Sequence, residues 1–405
     1  MLFQFNVFSS LLLIGVTQGI VYSLLLLVRG RQEGARADYW MAGLLLLLSL
    51  FVSQWMLGFA GWYDSHDWHT TLMFYLPFSP PFLLGPVFYC YFLSLTNARF
   101  QARKYWKHFI PAAFFLLQHA VIAVHDLLAW NVFQKKELPF FYNTRGPWAE
   151  YMDNLDTWWY NLLGQFSQLH LIAYLVATIY LYRRYKKYLV ANFSNTEPLQ
   201  FRWLNFIIII LGITFAVSLA GRVASMFVDL SYVQAWYYYF VTSAAIFVLS
   251  IQAYRQSTRS LLQLDFLPEA SRQAAPSPVA GTEEPTASSP LDPELEQLRR
   301  RLDGLMAAER PYLDPDLNIR QLAERLNTNT AYLSRVINNG YGLNFNDFIN
   351  GYRVRALVGK LGDGEHQHYT FLSLALDCGF NSKATFNRAF RKHTGKSPGE
   401  YVAGQ

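Results

Sequence analysis

Cysteine is nearly missing. Cys90 and Cys378 are the only two in 405 residues, one within an apolar run and one beside a glycine turn, so no disulfide framework is implied. A reducing cytosol suits the C-terminal part. Charge is scarce too: Asp, Glu, Lys and Arg make up 15%, against about 25% in an average soluble domain. The shortage is uneven, because long charge-poor stretches crowd the chain before Tyr254 while the residues after Asp292 have the mixed composition of a soluble domain. The apolar part has no zinc-protease pattern, phosphate loop or paired serine nucleophile motif. No enzymatic activity, cofactor or resident metal is therefore expected. His66, Asp67 and His69 come nearest to a metal cluster, but they are one short exposed group without a fourth ligand. A signal-peptide pattern is missing as well: no basic residue precedes the first apolar run and no small-x-small site follows it, so that run is expected to stay attached.

What the chain has in abundance is apolar length. A transmembrane helix needs about 20 largely apolar residues to cross roughly 30 Å of hydrocarbon. Seven windows meet this: Val7 to Val28, Tyr39 to Gly61, Leu72 to Leu95, Phe109 to Trp130, Trp158 to Tyr182, Trp203 to Val228 and Val233 to Tyr254. Cations set the orientation, since Lys and Arg stay on the cytoplasmic side. Arg29, Arg31 and Arg36 follow the first window, Arg99, Arg103, Lys104 and Lys107 the third, and Arg183, Arg184, Lys186, Lys187 and Arg202 the fifth. The opposite loops carry only Lys135, Lys136 and Arg145, accompanied by Glu137, Glu150, Asp153 and Asp156. The expected topology is N-terminus outside and C-terminal domain in the cytoplasm.

The outer loops, Gly61 to Thr70 and Ala129 to Tyr160, are rich in Trp and Tyr, the composition of an interfacial aromatic belt or of a ligand-binding rim. Within the windows Arg222 stands out, because a guanidinium near hydrocarbon is costly unless it faces protein, water or a carboxylate. Asp126 and Asp229 are its candidate partners. His119, His125, His170, Gln118, Gln165 and Gln168 add polar faces that serve either as interhelical hydrogen bonds or, with Asp126 and Arg222, as a sensor site for an unknown signal ligand. Pro77, Pro80, Pro81 and Pro86 predict a kink in the third window.

Periodicity is lost between Gln256 and Asp292, where AAPSPVAGTEEPTASSP has the composition of a flexible linker. Order is expected to resume at Asp292 as a helix cap, with Pro293 at the first helical position and Glu294 and Glu296 in the first turn. Leu295, Leu298, Leu302 and Leu305 then repeat at helical spacing. Two heptads are too few to argue a coiled coil, so packing onto the same domain is expected, with a homodimer as the alternative. The stretch from Asn318, NIRQLAERLNTNTAYLSRVINN, has a helix-turn-helix pattern: Ala323 small for close approach, Asn327 at the left-handed turn position, Leu333 and Val336 to bury. The spacing recurs with Ala375, Gly379, Phe386 and Phe390, and Phe345 to Leu361 reads as a connecting helix. From Gly379 to Pro398 the chain carries Lys383, Arg388, Arg391 and Lys392 without one carboxylate.

Over roughly Pro293 to Val402 the chain resembles the DNA-binding domain of the AraC/XylS family, with Ala375, Gly379, Phe380, Ser382, Phe386, Arg388, Phe390, Gly395 and Pro398 carrying the second unit's signature. The resemblance implies a monomeric pair of helix-turn-helices whose recognition helices enter successive major grooves of double-stranded DNA. By the same resemblance Asn329, Thr330, Ala331 and Arg335 face bases from the first helix, and Lys383, Ala384, Thr385 and Arg388 from the second, while Ser382 is a cap. Lys392 and Lys396 at the helix exit are expected on phosphates. The membrane half, including LLGPVFYCYFLSL at Leu83 to Leu95, is similar to the seven-span sensor halves of some bacterial transmembrane regulators. The expected fold is all-α, a seven-helix transmembrane bundle over residues 1–255, a linker over 256–292 and a tandem helix-turn-helix domain over 293–405. The expected function is one-component transcription regulation from the lipid bilayer of the inner membrane. The alternative is a membrane enzyme or transporter with an autoregulatory DNA-binding tail and with His119, His125, Asp126 and His170 as its chemistry.

Overall fold

A computed structural model describes residues 5–154, 156–197, 199–200, 202–225, 231–255, 264, 266 and 293–404. The expected linker (apart from Leu264 and Phe266), the Asp292 cap, the Arg222 side chain and Asp229 lie outside the described residues. The described elements are helices, with two isolated bridges and no strand, which is the expected all-α class. It divides into two compact units: Met1–Leu181 with Arg202–Asp265, and Tyr182–Phe201 with Phe266–Gln405.

In the first unit α1 (Val7–Glu33) packs along α2 (Arg36–Phe59) and α9 (Tyr232–Arg255). Small residues let these helices approach closely, as they do where lipid supplies no hydrophobic drive for association. A Cβ on Gly15 would stand 2.1 Å from Ser243 Oγ, and one on Gly19 2.0 Å from Ser49 Oγ. Serines then bridge the helices: Ser23 Oγ donates to Ala42 O at 2.9 Å and Ser243 Oγ to Leu12 O at 3.3 Å. At one end the guanidinium of Arg29 meets Asp38, with Nε to Oδ2 at 2.6 Å, and also donates to Tyr254 O, tying α1, α2 and α9 together. At the other end Trp55 stacks on Tyr232 and Tyr239 with ring centroids 4.5 and 4.3 Å apart, an aromatic cluster of the kind that marks a membrane interface.

Among the described residues five helices, not the expected seven, are long and apolar enough to cross a membrane: Val7–Glu33, Arg36–Phe59, Ala102–Phe133, Leu204–Gly221 and Tyr232–Arg255. The third expected window is two helices. α3 (Trp68–Tyr75) stops before Pro77, and α4 (Leu84–Thr96) starts only after Pro80 and Pro81. The 13 residues of α4 cover about 20 Å at 1.5 Å per residue, well short of the hydrocarbon thickness. Proline removes the amide needed to continue the helix, so a run that is long by hydropathy is broken by backbone chemistry. The third candidate span holds the fourth expected window: it begins with a 3-10 stretch, Ala102–Phe109, continues as α5 (Ile110–Ala123) and ends in a π turn, Val124–Phe133. The fifth expected window lies in α7 (Asp156–Asn192), and its first residues, up to 163, have side chains outside the described residues. α6 (Pro147–Asn154) and α8 (Arg202–Ser225) complete the unit, with α8 against α9.

In the second unit, helix Pro293–Ala308 buries Leu295, Leu298 and Leu302 in its own domain's core, and Leu305 packs against the same cluster. This is the intradomain packing expected of the leucine spacing. Helix Phe345–Gly362 runs between two cores. One gathers Leu322, Ala323, Leu333, Val336 and Phe348, the other Val354, Leu357, Ala375, Phe386 and Phe390.

Candidate nucleic-acid interface

Each half of the second unit is built by local chemistry that turns one helix sharply into the next. Asn318 caps helix Ile319–Arg325 in a reciprocal box with Gln321. The turn after it places Asn327 at φ +46°, a left-handed position that asparagine tolerates better than most residues, and Thr328 N donates back to Ala323 O. Asn329 then caps helix Thr330–Arg335 by accepting Tyr332 N at 2.9 Å. Thr330, Ala331 and Arg335 are exposed with Asn329 on the same short helix, while Leu333 is buried behind them. The guanidinium of Arg335 lies over the Tyr332 ring, 5.6 Å from its centroid.

The second half repeats the plan more tightly. Helix Phe371–Asp377 ends in a turn where Gly379 adopts φ +91°, and a Cβ there would stand 2.5 Å from Tyr312 O, so only glycine fits. Ser382 caps helix Lys383–Thr394 by accepting Thr385 N, and Gly395 at φ +76° ends it. Phe386 and Phe390 are buried as the pattern required, leaving Lys383, Ala384 and Arg388 exposed and Thr385 half-buried. Lys392 and Lys396 are exposed at the exit, and Lys392 is ion-paired with Asp347 of the connecting helix at 2.6 Å.

One residue that sequence reasoning passed over joins the two halves. Arg353 is 1% exposed. Its Nε donates to Tyr312 O at 2.8 Å, and its Nη2 to Asp314 O at 2.7 Å and to Ser194 Oγ at 3.1 Å. Burial pushes the guanidinium down to about 10, against the pull of Asp314 and Asp316. A charged residue on an otherwise core-facing stretch of the helix, between Tyr352 and Val354, was the one signal that could have singled it out.

The polar residues of the membrane half do not form one group. Asp126 is fully buried and accepts from Tyr75 Oη at 2.9 Å, His125 Nδ1 at 2.9 Å, Trp148 N at 3.1 Å and Ala149 N at 2.9 Å. These bonds satisfy the carboxylate and cap the start of α6. His125 also stacks on Trp148, with centroids 4.1 Å apart, and His119 packs on Phe115. His170 stands elsewhere, beside Phe82 and Tyr174, with its Nδ1 buried and unbonded. It lines a cavity of about 160 Å³ with Leu47, Phe51, Pro80, Gln168, Leu211 and Tyr238. His119, His125 and Asp126 are not among the residues that line this cavity. In the loop before α3 Asp67 caps that helix and bonds the His69 ring, whereas His66 stacks on Tyr142 at 3.8 Å. Among the described residues no three His, Cys, Asp or Glu side chains are grouped to hold an ion.

Residues 322–404 match the protein family described as "Helix-turn-helix domain", and the chain carries an AraC-type helix-turn-helix domain there, behind several apolar helices consistent with a membrane domain. No curated protein matches the chain, and no solved structure does.

Proposed function

We propose that this protein is a membrane-bound one-component transcription regulator, with residues 1–255 as a signal-sensing membrane domain, 256–292 as the connection and 293–405 as the DNA reader. The observation that carries the reading is the second recognition helix: its buried face is Phe386 and Phe390, its exposed face carries Lys383, Ala384 and Arg388, and no acidic residue occupies its first turn. In this reading Asn329, Thr330, Ala331, Arg335, Lys383, Ala384, Thr385 and Arg388 approach bases, and Lys392 and Lys396 hold phosphates. The recognition helices would then read elements about one helical turn, roughly 10 bp, apart. The cation distribution supports an inner-membrane protein with its N-terminus outside and this domain in the cytoplasm. A signal is transmitted only if it binds one arrangement of the helices better than another, and the cavity beside His170 supports a small ligand in that role.

Binding of the full-length protein in lipid nanodiscs to operator variants tests the assignment, after crosslinking across the genome has identified the operator. Arg388→Ala is expected to cost about 1 to 3 kcal/mol and to relax specificity at one position. Lys396→Ala is expected to weaken all sequences alike and to lower the salt slope by about one. Equal weakening of specific and nonspecific DNA by Arg388→Ala would remove it from the base readers. For topology, reporter fusions in the loop between α5 and α7 and at Gln405 are expected to be active outside and inside the cytoplasm, respectively; the reverse pattern would overturn the orientation.

A further inference from the structure

Residues 182–201, the last turns of α7 and its connection to α8, cluster with the second unit and not with the rest of α7 or with α8. The connection is bonded in, residue by residue. Phe193 forms an isolated bridge with Asn318, the cap of the first helix-turn-helix. Ser194 N donates to Leu317 O at 3.1 Å, and its hydroxyl accepts from buried Arg353. Asn346 Nδ2 donates to the carbonyls of Phe193 and Ser194, at 3.2 and 2.7 Å. Three residues on, Glu197 Oε2 accepts from Thr385 Oγ1 at 3.1 Å and from the hydroxyl of Ser382.

Those two hydroxyls stand at the N-terminus of the second recognition helix, a 12-residue helix with no acidic residue in its own first turn. The start of a helix favours an anion, because its first amides are unpaired and the backbone dipoles sum to partial positive charge there. DNA phosphates use such ends for the same reason. Glu197 supplies that anion from within the chain.

We propose that the segment 193–197 is an intramolecular ligand of the DNA-reading face: Glu197, held on Ser382 and Thr385, occupies the place of DNA at the start of the second recognition helix, so that the segment and DNA exclude each other. This rests on the reading of the C-terminal domain as a DNA binder. The segment is continuous with α7 on one side and α8 on the other, so a shift in these helices is delivered to the contact by the chain itself. A signal that favours the docked segment turns DNA binding down, and one that withdraws it turns DNA binding up. The apparent dissociation constant for DNA is the intrinsic one divided by the undocked fraction.

The test compares the full-length protein with its Glu197→Gln variant in nanodiscs of one lipid composition, at fixed salt, against operator DNA and unrelated duplex. Removing the charge is expected to tighten operator binding about 3- to 10-fold, as it would if the docked form holds roughly two thirds to nine tenths of the molecules. A second measurement follows the segment directly. Cys90 and Cys378 are buried, so alkylation of a Thr196→Cys variant reports on local exposure, and operator DNA is expected to accelerate it several-fold. Operator affinity that is unchanged or weaker in Glu197→Gln, or protection of the introduced thiol by DNA, overturns the proposal while leaving the DNA-binding reading intact. Failure of the parent protein to bind any duplex overturns that reading, and the proposal with it.

Discussion

Arg353→Met is expected to destabilise the DNA-binding unit by about 2 to 5 kcal/mol, because it leaves several buried acceptors without their donor. The guanidinium is 1% exposed and reaches Tyr312 O, Asp314 O and Ser194 Oγ. With its fork gone, these acceptors stay buried without donors, at about 1 to 3 kcal/mol each for those that water cannot reach. Methionine fills much of the volume, so the loss reads out hydrogen bonding rather than a cavity. A domain has only about 5 to 15 kcal/mol in total, so the variant should lose a large part of its folded population at moderate temperature, and operator binding with it. Arg353→Lys is not expected to restore it, because one ammonium cannot replace bonds that leave the fork in different directions. Denaturant unfolding of the full-length protein, followed by a probe in the C-terminal unit, measures the effect. A midpoint shift worth less than about 1 kcal/mol would show that the network contributes little.

The second large effect is expected at Asp126. Its buried carboxylate joins three places far apart in sequence: Tyr75 at the end of α3, His125 in the π turn after α5, and the first amides of α6. Alanine at this position leaves the Trp148 and Ala149 amides and the Tyr75 hydroxyl without their acceptor, and is expected to cost about 3 kcal/mol or more from orphaned groups alone. Asparagine keeps one acceptor oxygen but no charge and should fall between. Gly146→Ala is expected to act through the same carboxylate, because its Cβ would stand 2.3 Å from Asp126 Cγ. Thermal unfolding of the purified protein and proteolysis of the loop between α5 and α7 give the readout: earlier melting and faster cutting for Asp126→Ala and Gly146→Ala. If Asp126→Ala melts like the parent, the carboxylate is not what holds this end of the unit.

The helical class, the apolar crossing segments and the tandem helix-turn-helix were legible in the sequence because each depends on residues close together in the chain. Ala323 with Asn327 and Ala375 with Gly379 mark turns within a few positions, and Phe386 and Phe390 mark a buried face at one helical turn's spacing. The third apolar window was misread because hydropathy averages over backbone chemistry: its prolines outweighed its length. What only the tertiary structure decided are the partners of isolated polar groups. Asp126 finds Tyr75 and the start of α6, Arg353 finds a serine 159 positions away, and Glu197 finds a helix start 185 positions away. A lone charge in a sequence announces that it needs a partner, but many groups can satisfy it. Only the packing of distant segments selects which one does.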